Sequence, residues 1–222
     1  MPTSTLELKV FGGRFIAGMY ELERGSQGTV YVALDRVAVG AVALKVDGRD
    51  DPTYDGCLKK ELDIYARVGG CRHVPRLLWS GQDDDGHDAI ALPLLGPSLE
   101  SVALAYGWMR AWRLPQVLFI TAFLICAFEE IHDRGIVHGD IHLGNIMFPR
   151  QPSPGTSSTD ETSTGSAFLV ASIVTAVQHG LYLVDFGTFS IYLNADGRHI
   201  SEDDDAKGAI GAVMYRPRSA KR

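Results

Sequence analysis

Ile136-Val137-His138-Gly139-Asp140-Ile141-His142-Leu143-Gly144-Asn145 follows a helical stretch and sets an aspartate and an asparagine five positions apart. Gly139 and Gly144 disfavour a helix, so the segment reads as a loop. That spacing suits one carboxylate aimed at a hydroxyl proton and one amide oxygen aimed at a metal ion. His138 and His142, four apart, also match a zinc-binding helical pair, but the glycines and the lack of an evident third ligand oppose that reading. Further on, Leu181 to Asp185 reads as a short buried strand, closed by Val184-Asp185-Phe186-Gly187. A carboxylate at such a strand end can hold Mg²⁺ bridging two phosphates, with Phe186 as an apolar anchor and Gly187 as a flexible residue.

Upstream, Gly25-Ser26-Gln27-Gly28-Thr29-Val30-Tyr31 lies between two strand candidates. Glycines there let backbone amides approach phosphate oxygens without a Cβ in the way, although a bare hairpin turn explains the same residues. One strand later, Val42-Ala43-Leu44-Lys45 ends an apolar run with an ammonium, and Glu61 on the following helix is its candidate partner. Taken alone, that lysine and glutamate also read as two solvated surface residues. Their order relative to the two later motifs is what gives them weight.

The 222 residues are 45% hydrophobic and 22% charged, the composition of one globular domain or two small lobes around a cleft. Twenty-one basic against 27 acidic residues leave a net charge of −6, which offers no basic field for a nucleic-acid backbone. Cys57, Cys71 and Cys126 cannot all pair and have no CxxC spacing, pointing to a reducing compartment. Thr3 to Val10 lacks the features of a signal peptide, and the apolar stretch Ala167 to Val177 is too short for a membrane helix. A cytoplasmic or nuclear protein with no membrane and no nucleic-acid partner is expected.

From Arg14 to Asp47 the pattern is that of consecutive antiparallel strands, clearest at Val30 to Leu34 and Ala41 to Val46. Cys57 to Val68 has helical spacing at Leu58, Leu62, Ile64 and Tyr65. A further strand pair runs through Arg76 to Ser80 and Ala89 to Leu95, with Asp83, Asp84 and Asp85 as a solvated hairpin tip. After Gly96-Pro97 the chain turns helical, at Leu99 to Tyr106 and Leu114 to His132. Gln151 to Gly165 is a Ser/Thr/Pro/Gly run without periodicity, read as a disordered insertion.

The order glycine-rich loop, Val-Ala-Leu-Lys, helix glutamate, HxDxxxxN and Asp-Phe-Gly resembles the protein-kinase fold. Leu94-Leu95-Gly96-Pro97-Ser98-Leu99-Glu100 and Glu61-Leu62-Asp63-Ile64-Tyr65 resemble its casein kinase I branch. The resemblance runs from about Tyr20 to Tyr215, outside an insertion at 151–180. It implies an α+β, two-lobed fold: residues 1–95 as an ATP-binding N-lobe of five strands and one helix, and 96–222 as a partial helical C-lobe holding the catalytic loop. It further implies that Gly25, Ser26, Gly28, Val30, Ala43, Lys45, Leu92, Pro93 and Leu95 surround ATP, with Glu61 holding Lys45. Asp140 would orient or deprotonate the acceptor hydroxyl, His142 would stand near the γ-phosphate, and Asn145 and Asp185 would ligate Mg²⁺. The implied reaction is transfer of the γ-phosphoryl group to a serine or threonine hydroxyl of a protein substrate.

Several residues depart from the family pattern. Glu23 stands where the first loop glycine is expected, harmless only if it faces solvent. Gly139 replaces the arginine that reads a phosphorylated activation loop, so control by such phosphorylation is not expected. His142 replaces a lysine and supplies less charge to the transferring phosphoryl group, which implies slower chemistry. His-Gly-Asp-Ile-His-Leu-Gly-Asn is also the form found in aminoglycoside and choline kinases, a small-molecule alternative. The chain stops seven residues after Tyr215, at the end of a segment, Ile210 to Tyr215, that resembles the close of a casein kinase I activation segment. The later C-lobe helices are therefore expected to be missing. A pseudokinase or fragment is then the second alternative, with a protein partner covering apolar faces such as Leu118 to Phe128.

Overall fold

The computed structural model describes residues 8–25, 28–47, 57–83, 86–106, 112, 114–150, 180–193 and 197–199. Ser26, Asp84, Asp85, the segment 151–179, the acidic run Glu202 to Asp205 and the stretch from Ile210 to Arg222 lie outside these residues. The chain divides into two compact units, one of Met1–Gly70 with Pro75–Leu94 and one of Cys71–Val74 with Leu95–Arg222. Together the antiparallel sheet of the first and the helices of the second give the α+β, kinase-like fold that the motifs imply.

In the first unit the sheet has six strands: β1 (Lys9–Phe11), β2 (Phe15–Gly25), β3 (Gly28–Asp35), β4 (Gly40–Val46), β5 (Trp79–Gln82) and β6 (Asp88–Pro93). Their order is β1-β2-β3-β4-β6-β5, with every neighbouring pair antiparallel. The expected count of five falls short by β1. Three residues are too few to show an alternation, and the hairpin that adds them turns through Gly12 and Gly13 at positive φ. Phe11, Phe15, Ala17, Ala33, Val42, Leu44, Ala89 and Ala91 form the core beneath it, with Trp79 against them. Gly81 has to be bare, because a Cβ there would stand 2.3 Å from the Trp79 ring.

Asp35 ends β3 and starts the turn into β4. Its Oδ1 accepts from the Val37 and Ala38 amides, while Arg14 donates to both carboxylate oxygens at 2.9 and 2.7 Å. The Arg14 guanidinium holds this carboxyl well below the usual carboxylate range. The β5–β6 turn also differs from the solvated tip expected of its acidic run. The Asp83 side chain is buried, accepting from the His87 amide at 2.7 Å and facing His87 Nδ1 at 2.8 Å. A short turn needs an acceptor for its own orphan N–H groups, and charge alone does not reveal which aspartate supplies it.

Helix α1 (Cys57–Val68) packs on β6 through one stripe: Leu58, Glu61, Ile64, Tyr65 and Val68 are buried. Leu62 lies beside that stripe and is only half-buried, while Glu61 lies within it. The helical period is as the sequence predicts; the polar member of the face is not an apolar-pattern signal.

The second unit contains α2 (Leu99–Tyr106), α3 (Leu114–His132), β7 (Ile136–Val137), a 3₁₀ turn (Leu143–Asn145), β8 (Ile146–Met147), β9 (Tyr182–Leu183) and β10 (Ser190–Ile191). The expected strand Leu181 to Asp185 is realised as the two-residue β9 with a buried Leu181 before it. β7 pairs with β10, and β8 with β9. Ser98 caps α2 by accepting from the Ser101 amide at 3.1 Å. Gly96 approaches the chain after β8 so closely that a Cβ would lie 2.9 Å from the Pro149 carbonyl, and Gly96 N–H donates to Phe148 O at 2.9 Å. Cys71–Val74 folds with this unit: the Arg72 amide donates to Glu130 at 2.8 Å, and His73 O accepts from the Leu183 amide at 2.8 Å.

Helix α3 carries Pro115 in its first turn, where a missing N–H costs nothing. Phe123, Ala127 and Ile131 are its buried residues, whereas Leu114, Leu118 and Ile125 are 71%, 59% and 62% exposed. Among the described residues it is the one helix long and apolar enough to cross a membrane by length and composition, a longer stretch than Ala167 to Val177.

Candidate active site

In the first unit, β2 and β3 meet at a hairpin where Gly25 pairs with Gly28. Gly28 has φ +128°, and a Cβ there would stand 2.2 Å from the Val46 carbonyl. Only glycine fits, so the turn can hold its backbone close to β4. Glu23 is exposed and pairs with Val30 in the β2–β3 ladder. On β4, Lys45 pairs in register with Val30 and with Ile90, so neighbouring strands fix its backbone on both sides. Its Nζ lies 2.7 Å from Glu61 Oε2, with Lys45 12% and Glu61 2% exposed. This is a desolvated charge pair, not two surface residues, and removing one partner would leave an uncompensated buried charge. Ala43 pairs with Leu92 and Val42 with Pro93 in the β4–β6 ladder, which sets these candidate adenine-side residues in one register.

The second unit brings the loop residues together by hydrogen bonds. Asn145 is buried; its side-chain amide donates to the Asp140 carbonyl at 3.0 Å, and its own carbonyl accepts from the Val184 amide at 3.0 Å. Asp140, Asn145 and the residue before Asp185 thus share one frame. Asp185 has φ +63°, an unusual backbone for a residue with a Cβ, and its Oδ1 accepts from the Gly187 amide at 3.4 Å. Phe186 is fully buried and its ring lies 4.8 Å from that of His138. The apolar anchor expected at this position is in place, and it fixes the strand end that bears Asp185.

His138 is the residue whose role sequence spacing alone did not show. It is 1% exposed, and its Nε2–H donates to the Val184 carbonyl at 2.9 Å while Nδ1 accepts from the Asp140 amide at 3.4 Å. Burial pushes its pKa down, so the ring stands neutral between the two segments. It positions both Asp140 and the strand before Asp185. Gly139 explains itself similarly: φ is +84°, and a Cβ would stand 2.0 Å from the Thr188 carbonyl. No side chain, arginine included, fits there without moving the chain after Asp-Phe-Gly. His142 precedes the 3₁₀ turn in extended conformation, accepting from the Gly144 amide at 3.1 Å, with Nε2 3.9 Å from Asp140 Oδ2.

The donor chemistry fits a small hard cation. With its side-chain nitrogen donating to the Asp140 carbonyl, Asn145 would turn its oxygen to a metal, and Asp185 would offer a carboxylate. Among the described residues no three His, Cys, Asp or Glu side chains gather as a metal-ligand group. One carboxylate and one amide oxygen suit Mg²⁺, which keeps several waters and takes its remaining ligands from phosphates.

No family model matches the chain. It is 27% identical over 195 residues, 88% of this chain and 52% of the relative, to a probable casein kinase I homolog of Encephalitozoon cuniculi. A casein kinase I homolog of Kluyveromyces lactis is 27% identical over 196 residues, covering 88% of this chain and 31% of the relative. A casein kinase 1-like protein of Oryza sativa subsp. japonica gives 27% over 205 residues, again 88% of this chain and 25% of the relative. The lobed architecture, the hydrogen-bonded loop and these similarities define a protein-kinase-like chain. Its similarity falls within the casein kinase I-like branch, as a divergent representative. The chain spans about half the length, or less, of these curated relatives.

Proposed function

We propose that the chain is an ATP- and Mg²⁺-dependent protein kinase that transfers the γ-phosphoryl group to a serine or threonine hydroxyl. The observation that carries this reading is the frame in which Asn145 holds the Asp140 carbonyl and accepts from Val184. It supports the reading because it ties the backbones of Asp140, Asn145 and Val184 together, which would lower the reorganisation needed at the moment of reaction. Asp140 orients the acceptor hydroxyl and takes its proton; Lys45, held by Glu61, places its ammonium on the nucleotide phosphates; Asn145 and Asp185 hold Mg²⁺, which neutralises developing phosphate charge when bound.

The test is transfer of labelled phosphate from MgATP to dephosphorylated casein by the full chain. Asp140→Asn is expected to lower the rate by about 10²–10⁴-fold, and Asp185→Asn to abolish transfer, both with the thermal transition intact. Transfer that survives both changes would overturn the reading. The exposed face of α3 supports a second reading, a chain that binds nucleotide or a partner without turnover. In that case MgATP raises the melting transition, no phosphate is transferred, and Asp185→Asn leaves partner binding unchanged. Phosphorylation of aminoglycosides or amino alcohols in preference to casein would instead favour the small-molecule alternative.

A further inference from the structure

Helix α3 ends on carbonyls that a later part of the chain holds. The last carbonyls of a helix lack partners in its own ladder; the His132 carbonyl accepts instead from the Gly135 amide at 2.8 Å and from the Tyr192 hydroxyl at 2.6 Å. Gly135 turns at φ +73°, the left-handed close of a helix that glycine favours. Its carbonyl accepts from the Tyr192 amide at 2.9 Å, so one residue grips this turn at both ends, through its side chain and through its backbone. A Cβ on Gly135 would stand 2.8 Å from Leu193 Cβ, which means that the chain beyond Tyr192 packs on the bare glycine. The Tyr192 ring lies edge-on to His132 at 6.3 Å and tilted against His199 at 5.3 Å.

The gripped turn leads straight to Asp140, five positions after Gly135. Between them β7 pairs with β10 through Ile136 with Ile191 and Val137 with Ser190, and a Cβ on Gly139 would stand 2.0 Å from the Thr188 carbonyl. Residues 135–139 and 188–192 therefore lie side by side. A ladder of two residues, with Ile136 buried and Val137 40% exposed, specifies its register weakly. The contact is held at its ends. Phe186 fixes the inner end by packing on His138, and Tyr192 fixes the outer one. Gly139 brings no side chain to it.

We infer that Tyr192 is a positioning residue for Asp140: its hydroxyl and amide hold the turn after α3, and through β7 and the Thr188–Gly139 contact that grip sets where the Asp140 backbone stands. The inference rests on the kinase reading above and deepens it, naming a side chain that acts through Asp140 and not on the reacting atoms. A neutral hydrogen bond is enough for this, since the effect is one of orientation.

Tyr192→Phe removes the hydroxyl and keeps the ring and the backbone amide. The full chain is assayed with MgATP and dephosphorylated casein, at a temperature where circular dichroism shows wild type and variant fully folded. The expected result is a kcat lowered about fivefold, the scale of one neutral hydrogen bond, with the KM for ATP unchanged. Hydrogen exchange supplies a readout independent of turnover: the amides of 136–140 and 188–192 exchange faster in the variant. A lower melting temperature with kcat as in the wild type would make Tyr192 a structural residue only and overturn the inference. A raised KM for ATP with kcat unchanged would put the effect on the nucleotide side and also overturn it, as would unchanged exchange at 136–140. If the wild-type chain transfers no phosphate, the kinase reading fails by itself, and exchange then decides the grip: faster exchange at 136–140 upholds it, and unchanged exchange refutes it.

Discussion

Helices α1 and α3 are both rich in leucine and isoleucine, yet they bury that surface very differently. In α1 the buried residues Leu58, Glu61, Ile64, Tyr65 and Val68 follow one face, and Lys59, Lys60, Asp63 and Arg67 fill the other. In α3, seven residues longer, Phe123, Ala127 and Ile131 form a narrow buried line while Leu114, Leu118 and Ile125 stand more than half exposed. An amphipathic helix announces one neighbour, and the sheet supplies it. A helix apolar on all sides needs cover on all sides, and packing in the second unit covers one side.

Substitutions at matched residues sharpen this contrast. Leu58→Ala removes a fully buried side chain from α1 and is expected to cost about 2–5 kcal/mol, against at most about 0.5 kcal/mol for Leu118→Ala on α3; urea unfolding of both variants measures the difference. Equal losses would show that the outer face of α3 is packed in solution. Next in size is Gly139→Ala in the loop before Asp140, expected to cost about 1–3 kcal/mol from its positive φ and to shift the chain at Thr188. Its measurement is the melting temperature together with ATP affinity, and an unchanged melting temperature would refute the close packing described.

A smaller effect comes from His138. Its pKa is lowered on folding, so the unfolded chain binds the proton more readily. Its contribution is fully present above the ordinary histidine value, about 6.5, and is lost as pH falls below it. Melting temperature should therefore drop between pH 7 and 5, and His138→Gln should flatten that slope. The smallest change in stability is expected of Ile125→Glu on α3, within about 0.5 kcal/mol. It should nonetheless lower self-association in analytical ultracentrifugation, and no change there would mean that this face is not what drives association.

Much of this was legible before the fold was known. The alternation of Val30 to Leu34 and Ala41 to Val46 marked β3 and β4, and the spacing from Leu58 to Tyr65 marked α1, because side-chain period follows backbone geometry. The glycines at 25 and 28 marked a tight turn, though not that the Val46 carbonyl forbids a Cβ at 28. β1 leaves no mark in the pattern because three residues carry no period. The burial of Asp83 is not legible in its acidic run because its partner, His87, is chosen by the turn.

The identities and order of Lys45, Glu61, Asp140, Asn145 and Asp185 were fixed by the sequence, since the chemistry of each is a property of its own side chain. What the tertiary structure decided is which of them are desolvated and which atoms they offer. It buried Glu61 against Lys45, turned the Asn145 nitrogen toward Asp140, neutralised His138 between two segments and set the tautomer of His142 through Gly144. Charge state and hydrogen-bond direction depend on neighbours brought from distant positions in the chain, and local sequence does not contain those neighbours.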